Sequence, residues 1–109
     1  MTTLSLETRD EGEQVRIAVT GELDLSSALT FDDEVRRAEE RNPRRLVIDL
    51  SRLKFLDSTG LRLIMSAQAR ARKRGCAFTV VEGTEAVKRI FKLAGVGRRL
   101  DIVPAERPF

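Results

Sequence analysis

The sequence predicts a small α/β domain with a mixed, mostly parallel sheet of four to five strands packed with about three helices. Two observations indicate this: strand-like segments alternate with segments of helical periodicity, and a continuous apolar run of strand length lies in mid-chain. A length of 109 residues suits one hydrophobic core. We therefore expect a single domain over residues 1–109, in the order β-β-α-β-α-β-α plus a short final strand, with 104–109 as a frayed tail.

The N-terminal part of the chain predicts a β-hairpin. Residues 4–9 form the first expected strand, and the residues at 11–13 form a tight turn around Gly12. In the second strand Val15, Ile17 and Val19 alternate with more polar residues, which is typical of a strand with one covered face.

A loop at 21–24 is expected to lead into the first helix. Residues of the packing side then recur at helical spacing, namely Leu25, Ala28, Phe31 or Asp32, Val35 and Ala38. Asp24, Ser26 or Ser27 can cap this helix, because their side chains accept hydrogen bonds from free backbone amides. Asn42–Pro43 ends it, since the residue before a proline avoids the helical region.

The apolar run 46–50 predicts a strand buried on both faces, and hence the centre of the sheet. Residues 51–56 are expected to be a connector, after which Asp57 opens a second helix that ends at Gly75.

The C-terminal third predicts one more strand, helix and short strand. Residues 76–81 form the strand, and Thr84 caps a third helix that ends at Gly95. Residues 100–103 form the last strand. Four positions of the third helix are expected to face the core: Val87, Ile90, Phe91 and Ala94.

The composition argues against an enzyme. The chain has no histidine, which removes the Ser–His–acid triad and the commonest metal ligand, and only one cysteine, Cys76. It also lacks the glycine-rich loop of P-loop nucleotide hydrolases. We therefore expect no catalytic residue, no metal and no cofactor.

The charge distribution does not favour nucleic acid. Residues 43–109 hold 15 bases against 6 acids, but the bases are scattered over several elements without interleaved aromatic side chains. The first ten residues have neither a basic start nor an apolar middle, and no segment has the roughly 18–20 apolar residues that a membrane span needs. We expect a cytoplasmic protein that binds neither nucleic acid nor membrane directly.

The motif Asp57-Ser58-Thr59-Gly60 stands at the start of a predicted helix. The first amides of a helix lack intrahelical partners and the helix dipole favours anions, so a phosphate on Ser58 would be stabilised there. Gly60 is expected to leave room for a kinase. The same residues also suit an ordinary helix cap, with Asp57 as the cap and Ser58 uninvolved. Ser58 lacks an activating base for nucleophilic catalysis, because Lys54 is expected to be exposed.

Segments in four parts of the chain resemble the STAS-domain anti-sigma factor antagonists. They are TGELD at 20–24, VIDLS at 47–51, FLDSTGL at 55–61, and AVKRIF at 86–91 with LAG at 93–95. They follow the order and spacing of that family over nearly the whole chain. The resemblance implies a small STAS-like single-layer fold and a regulatory rather than catalytic role.

The resemblance also implies a mechanism. In that family an anti-sigma factor, which is a serine kinase, phosphorylates the antagonist at the serine or threonine after the motif aspartate. The unphosphorylated antagonist binds the kinase and releases the sigma factor, and a serine phosphatase restores that form. The matching phosphorylation site here is Ser58. Asp24, Asp57, Thr59, Gly60 and Leu61 are the matching partner-binding candidates. The alternative is a STAS scaffold or accessory module of a lipid-transport or stress-signalling complex that works without phosphorylation.

Overall fold

The fold was examined in a computed structural model, which describes residues 3–105. The elements are β1 (Leu4–Glu11), β2 (Gln14–Leu23), α1 (Ala28–Glu39), β3 (Arg45–Leu56), α2 (Ser58–Arg74), β4 (Ala77–Val81), α3 (Glu85–Ala94) and β5 (Asp101–Val103). This order and the expected α/β class are confirmed. Pro104 and Ala105 have no regular structure. The remaining part of the predicted tail, 106–109, lies outside the described residues, so the assignment of 1–109 to one domain stays a prediction.

The five strands form one sheet in the order β1-β2-β3-β4-β5, with β1 antiparallel to β2 and the other neighbours parallel. The central position of β3 agrees with its apolar sequence. Each parallel strand is joined to the next by one helix, and right-handed crossovers that all proceed in the same direction place their helices on one face of the sheet. Helices α1, α2 and α3 accordingly share one layer.

That helical layer covers an aliphatic core. The in-register pairs Leu46–Phe78 and Ile48–Val80 face the helices, and the alternating residues Val15, Ile17 and Val19 of β2 continue the same face. The opposite face of the sheet is polar, and an ion pair at 3.3 Å joins Arg16 of β2 to Asp49 of β3 there. Within residues 3–105, no helix has the length and apolar character needed to cross a membrane.

Three strands run further than the sequence predicts, and β1 does so by two residues, to Glu11. The expected loop at 21–24 and connector at 51–56 are wrong in extent, because β2 continues to Leu23 and β3 to Leu56. The β2–β3 pairing shifts register twice along these extensions, and Gly21 has a φ of +98°. Such irregularities break the alternation of buried and exposed residues that identifies a strand in sequence.

The first helix begins later than predicted. Helix α1 starts at Ala28, after Ser27, whose side chain makes no capping hydrogen bond. Leu25 was expected on the packing side of this helix but lies in the preceding turn and is 76% exposed. Helix α1 also ends earlier than predicted, at Glu39 rather than at Asn42–Pro43. Three further helix ends agree with expectation: Gly75 and Gly95 terminate α2 and α3 in the left-handed conformation, and Thr84 accepts a hydrogen bond from the amide of Val87.

Helices α1 and α2 are joined by an ion pair that is largely shielded from water. The Glu39 carboxylate accepts from Arg70 Nε at 2.9 and 3.0 Å, and the Glu39 carbonyl accepts from Arg74. The Glu39 side chain is only 8% exposed. Both ends of the pair are therefore ordered against the neighbouring helix, and the pair fixes the α1–α2 packing.

Replacing Glu39 with alanine should destabilise the fold by about 1–3 kcal/mol, because the partly shielded Arg70 guanidinium then loses both hydrogen bonds to Glu39 and keeps the weaker contact with Asp32 at 3.9 Å. Urea denaturation measures the loss. Glu40→Ala is the matched control, since Glu40 is the next residue and is exposed; we expect it to change the free energy of unfolding by no more than about 0.5 kcal/mol. Equal effects of the two variants would contradict this role of the pair.

Candidate functional site

The motif residues meet at the edge of the sheet where β2 and β3 end. Leu23 of β2 pairs in register with Leu56 of β3, so the next residues lie side by side: Asp24 begins the turn before α1, and Asp57 is the single residue between β3 and α2. Sites in parallel α/β sheets commonly lie beyond the carboxyl ends of strands. The register of two strands thus brings together two aspartates that are more than thirty residues apart in sequence.

The Asp57 carboxylate links the start of α2 to the turn before α1. Its Oδ1 accepts from the amide of Gly60 at 3.0 Å, which caps helix α2, and its Oδ2 accepts from the amide of Leu25 at 3.1 Å. The Asp57 amide donates to the Leu23 carbonyl at 3.2 Å. The predicted capping role of Asp57 is confirmed, and the same side chain also fixes the turn before α1.

Asp24 shapes that turn from within. Its Oδ1 accepts from the amide of Ser26 at 3.0 Å, from the Ser26 hydroxyl at 2.7 Å and from the amide of Ser27 at 3.3 Å. The Ser27 hydroxyl is buried and donates to the Glu22 carbonyl at 2.9 Å. These contacts hold Asp24 half-buried beside Asp57, where the sequence predicts a residue near the motif serine.

Ser58 is the first residue of α2 and is exposed. In an α-helix the first amides have no intrahelical acceptor. Here Leu61 donates to the Asp57 carbonyl, and Gly60 donates to the Asp57 side chain. The amides of Ser58 and Thr59 are the two that have no acceptor within the helix. They lie at the same helix terminus as the exposed Ser58 side chain.

Gly60 and Leu61 lie beneath this surface. Both are buried, whereas Thr59 is half-buried. A Cβ atom on Gly60 would lie 2.7 Å from Leu23 Cγ, 2.7 Å from Leu56 Cδ1 and 3.0 Å from the Leu23 carbonyl oxygen. The glycine therefore allows the start of α2 to approach the ends of β2 and β3, and its role is packing rather than access for a kinase.

The structure adds a feature that sequence reasoning missed. Asp24, Leu25, Ser26, Phe55 and Asp57 line an open depression of about 450 Å³ beside the start of α2. Phe55 is 49% exposed although it lies in a strand. No sequence signal distinguished Leu25 from a core residue, because its spacing from Ala28 is helical. Phe55 had such a signal, since it precedes Leu56 and the two neighbours of a strand point to opposite faces.

Two kinds of reactive site, a metal centre and a reactive thiol, are not favoured by the described residues. Among residues 3–105, no cluster of three or more His, Cys, Asp or Glu side chains is placed to hold a metal ion. Cys76 lies just before β4, at the other end of the strands, and burial raises the pKa of its thiol, which disfavours the reactive thiolate.

Replacing Gly60 with alanine should destabilise the fold by about 1–3 kcal/mol, despite the better helix propensity of alanine, because the new methyl group overlaps buried leucines. Thermal or urea unfolding checks this. Gly97→Ala is the matched control: its Cβ meets nothing within 4 Å, so a change within about 0.5 kcal/mol is expected. A stable, unchanged Gly60→Ala protein would show that the contact relaxes freely.

The fold and sequence of this chain match known proteins. The family model described as "Mlab, STAS domain" matches residues 6–104. The anti-sigma-F factor antagonist RsfB of Mycobacterium tuberculosis is 32% identical over 82 residues, which cover 75% of this chain and 66% of RsfB. The match thus spans slightly less than two thirds of that relative.

Solved structures agree with the sequence matches. An anti-sigma factor antagonist from Mycobacterium paratuberculosis superposes with a TM-score of 0.88 at 26% identity, covering 94% of this chain and 87% of the other. The Bacillus antagonist SpoIIAA in its unphosphorylated form has a TM-score of 0.81 at 18% identity, covering 94% and 90%; a likeness at that identity concerns the fold alone. With a family model matching nearly its full length, this chain belongs to the STAS domain family.

Proposed function

We propose that this chain is a cytoplasmic anti-sigma factor antagonist that is switched by phosphorylation of Ser58. The observation that carries the proposal is the placement of Ser58, an exposed hydroxyl at the first position of α2 within the motif that matches the antagonists. The unmodified form binds an anti-sigma factor serine kinase and so releases a sigma factor. A serine phosphatase regenerates that form, and neither nucleic acid nor a membrane is contacted.

The relatives support this function. RsfB and the M. paratuberculosis protein are both named as anti-sigma factor antagonists, and each is more than a quarter identical to this chain. Histidine is absent from the sequence, and the neighbouring Asp57 carboxylate already accepts hydrogen bonds from two backbone amides, so a binding role suits the site better than hydrolysis.

A phosphate on Ser58 suits the free domain. The group carries about −1.5 to −2 charges at neutral pH. The start of α2 supplies the amides of Ser58 and Thr59 and the positive end of the helix dipole, which offset part of the repulsion from the Asp57 carboxylate. Because Ser58 is exposed, the phosphate does not have to displace any packed side chain. The fold can therefore accept the modification.

The same phosphate opposes a partner that covers Ser58. A charge buried without a partner at an interface costs about 2–5 kcal/mol, which corresponds to an affinity loss of about 30-fold to several thousand-fold. Asp57 and Thr59, which flank Ser58 in sequence, and Asp24, which lines the same depression as Asp57, are proposed to share the contact. Buried Gly60 and Leu61 contribute by holding the start of α2 in position.

Incubation with ATP and the anti-sigma factor serine kinases of the same genome should phosphorylate this chain at one position. Intact-mass and peptide mass spectrometry should find a single phosphate, on Ser58, and none on Ser58→Ala. Ser66→Ala is the matched control, because Ser66 is an exposed serine of the same helix and its loss should leave phosphorylation unchanged. Phosphate on another residue, or none with any kinase, contradicts the proposed switch.

Binding should follow the charge at position 58. Calorimetry with the kinase that phosphorylates the chain should give Ser58→Ala an affinity within about threefold of the unmodified protein. Ser58→Asp, which places a charge at the interface, should lose at least about 30-fold. Equal binding by the two variants would favour the alternative, a STAS scaffold or accessory module whose docking does not depend on phosphorylation.

A further inference from the structure

Exposed apolar side chains gather at the Ser58 end of the molecule. Within residues 3–105, four large hydrophobic side chains are exposed: Leu25 at 76%, Leu29 at 77%, Phe55 at 49% and Leu93 at 78%. Leu25 lies in the turn before α1 and Leu29 in the first turn of that helix. Phe55 lies near the end of β3, whereas Leu93 lies on α3. We name Leu25, Leu29 and Phe55 the apolar rim. An exposed apolar surface beside a proposed partner-binding site indicates a protein contact.

Two members of the apolar rim are held in fixed positions. The Leu25 amide is bonded to the Asp57 carboxylate, and Phe55 lies in a strand paired with Glu22 of β2. Both side chains line the depression beside the start of α2. An interface anchor that is already ordered loses little conformational freedom on binding. The backbones of Leu25 and Phe55 are therefore ordered before a partner binds, and Leu29 follows in the first turn of α1.

The polar groups in this depression have partners inside the chain. Asp57 uses both carboxylate oxygens for backbone amides, and Asp24 Oδ1 accepts from Ser26 and Ser27. Covering them with an apolar partner therefore leaves these hydrogen bonds intact. Burying a hydrogen-bonded polar group costs far less than burying an unpaired one. The depression can therefore receive an aliphatic or aromatic side chain without breaking these hydrogen bonds, and a cationic group of the partner would offset the two carboxylate charges.

Charge distinguishes between possible occupants. In a symmetric dimer through this face, the carboxylates of Asp24 and Asp57 would approach those of the other copy, and like charges disfavour that arrangement. The charged residues that line the depression are both acidic, whereas an anionic membrane surface attracts Lys and Arg. A different protein that brings a cationic group beside its apolar side chain fits best.

We propose that the apolar rim is the affinity anchor for the anti-sigma factor, with Leu25 and Phe55 receiving an aliphatic or aromatic side chain of that partner. The inference rests on the proposed function. It separates two roles: the apolar rim supplies affinity in the unmodified state, and Ser58, which lies directly after Asp57, determines whether that affinity is available.

The test compares serine variants by calorimetry against the anti-sigma factor kinase that phosphorylates the wild-type chain. Leu25→Ser and Phe55→Ser should each weaken binding at least about tenfold, the loss typical of a central apolar anchor. Leu93→Ser is the matched control, because Leu93 is as exposed as Leu25 but lies on α3; its affinity should stay within about twofold. Circular dichroism melting should show all three variants folded.

Unchanged affinity for both Leu25→Ser and Phe55→Ser would overturn the anchor while leaving the proposed function standing, provided that Ser58→Asp still abolishes binding. Failure of the wild-type chain to bind any anti-sigma factor kinase would instead overturn the proposed function. Light scattering addresses the other occupant: a wild-type dimer that Leu25→Ser converts to a monomer would show that the apolar rim is a self-association surface, and would also overturn the proposal.

Discussion

The candidate site depends on one carboxylate. Asp57 accepts one hydrogen bond from the start of α2 and another from the turn before α1, so a single side chain positions the motif serine and the exposed Leu25 together. The pairing of Leu23 with Leu56 places Asp57 within hydrogen-bonding distance of both the turn before α1 and the start of α2. Any contact that reorients Asp57 would therefore affect both the start of α2 and the turn that holds Leu25, because the hydrogen bonds described for residues 3–105 join Leu25 to this helix start through Asp57.

The sequence predicted the features that depend on local chemistry. Asp57 was recognised as a cap because Asp–Ser–Thr–Gly suits a helix start, and Thr84, Gly75 and Gly95 were recognised for similar reasons. The central place of β3 followed from its continuous apolar run. Such signals depend on residues that are neighbours in sequence, so they can be recognised without knowledge of the tertiary structure.

The features that sequence reasoning missed depend on contacts between distant segments. At the ends of β2 and β3, buried and exposed residues do not alternate, because irregular pairing between these strands shifts which residues face the core. Leu25 has the spacing of a core residue, yet its amide is captured by Asp57 and the turn leaves its side chain in solvent. The tight fit of Gly60 against Leu23 and Leu56 likewise required three segments to be placed together.

The strand order has a consequence for how the chain reaches this structure. Because spatial order equals sequence order, every strand pairs with the strand that precedes or follows it along the chain, and each loop to be closed contains at most one helix. Closing short loops carries a small entropic cost, and predominantly local pairing favours rapid folding. The site needs only β2, α1, β3 and the start of α2, so all of its segments lie within residues 14–61 and precede β4 and α3 along the chain.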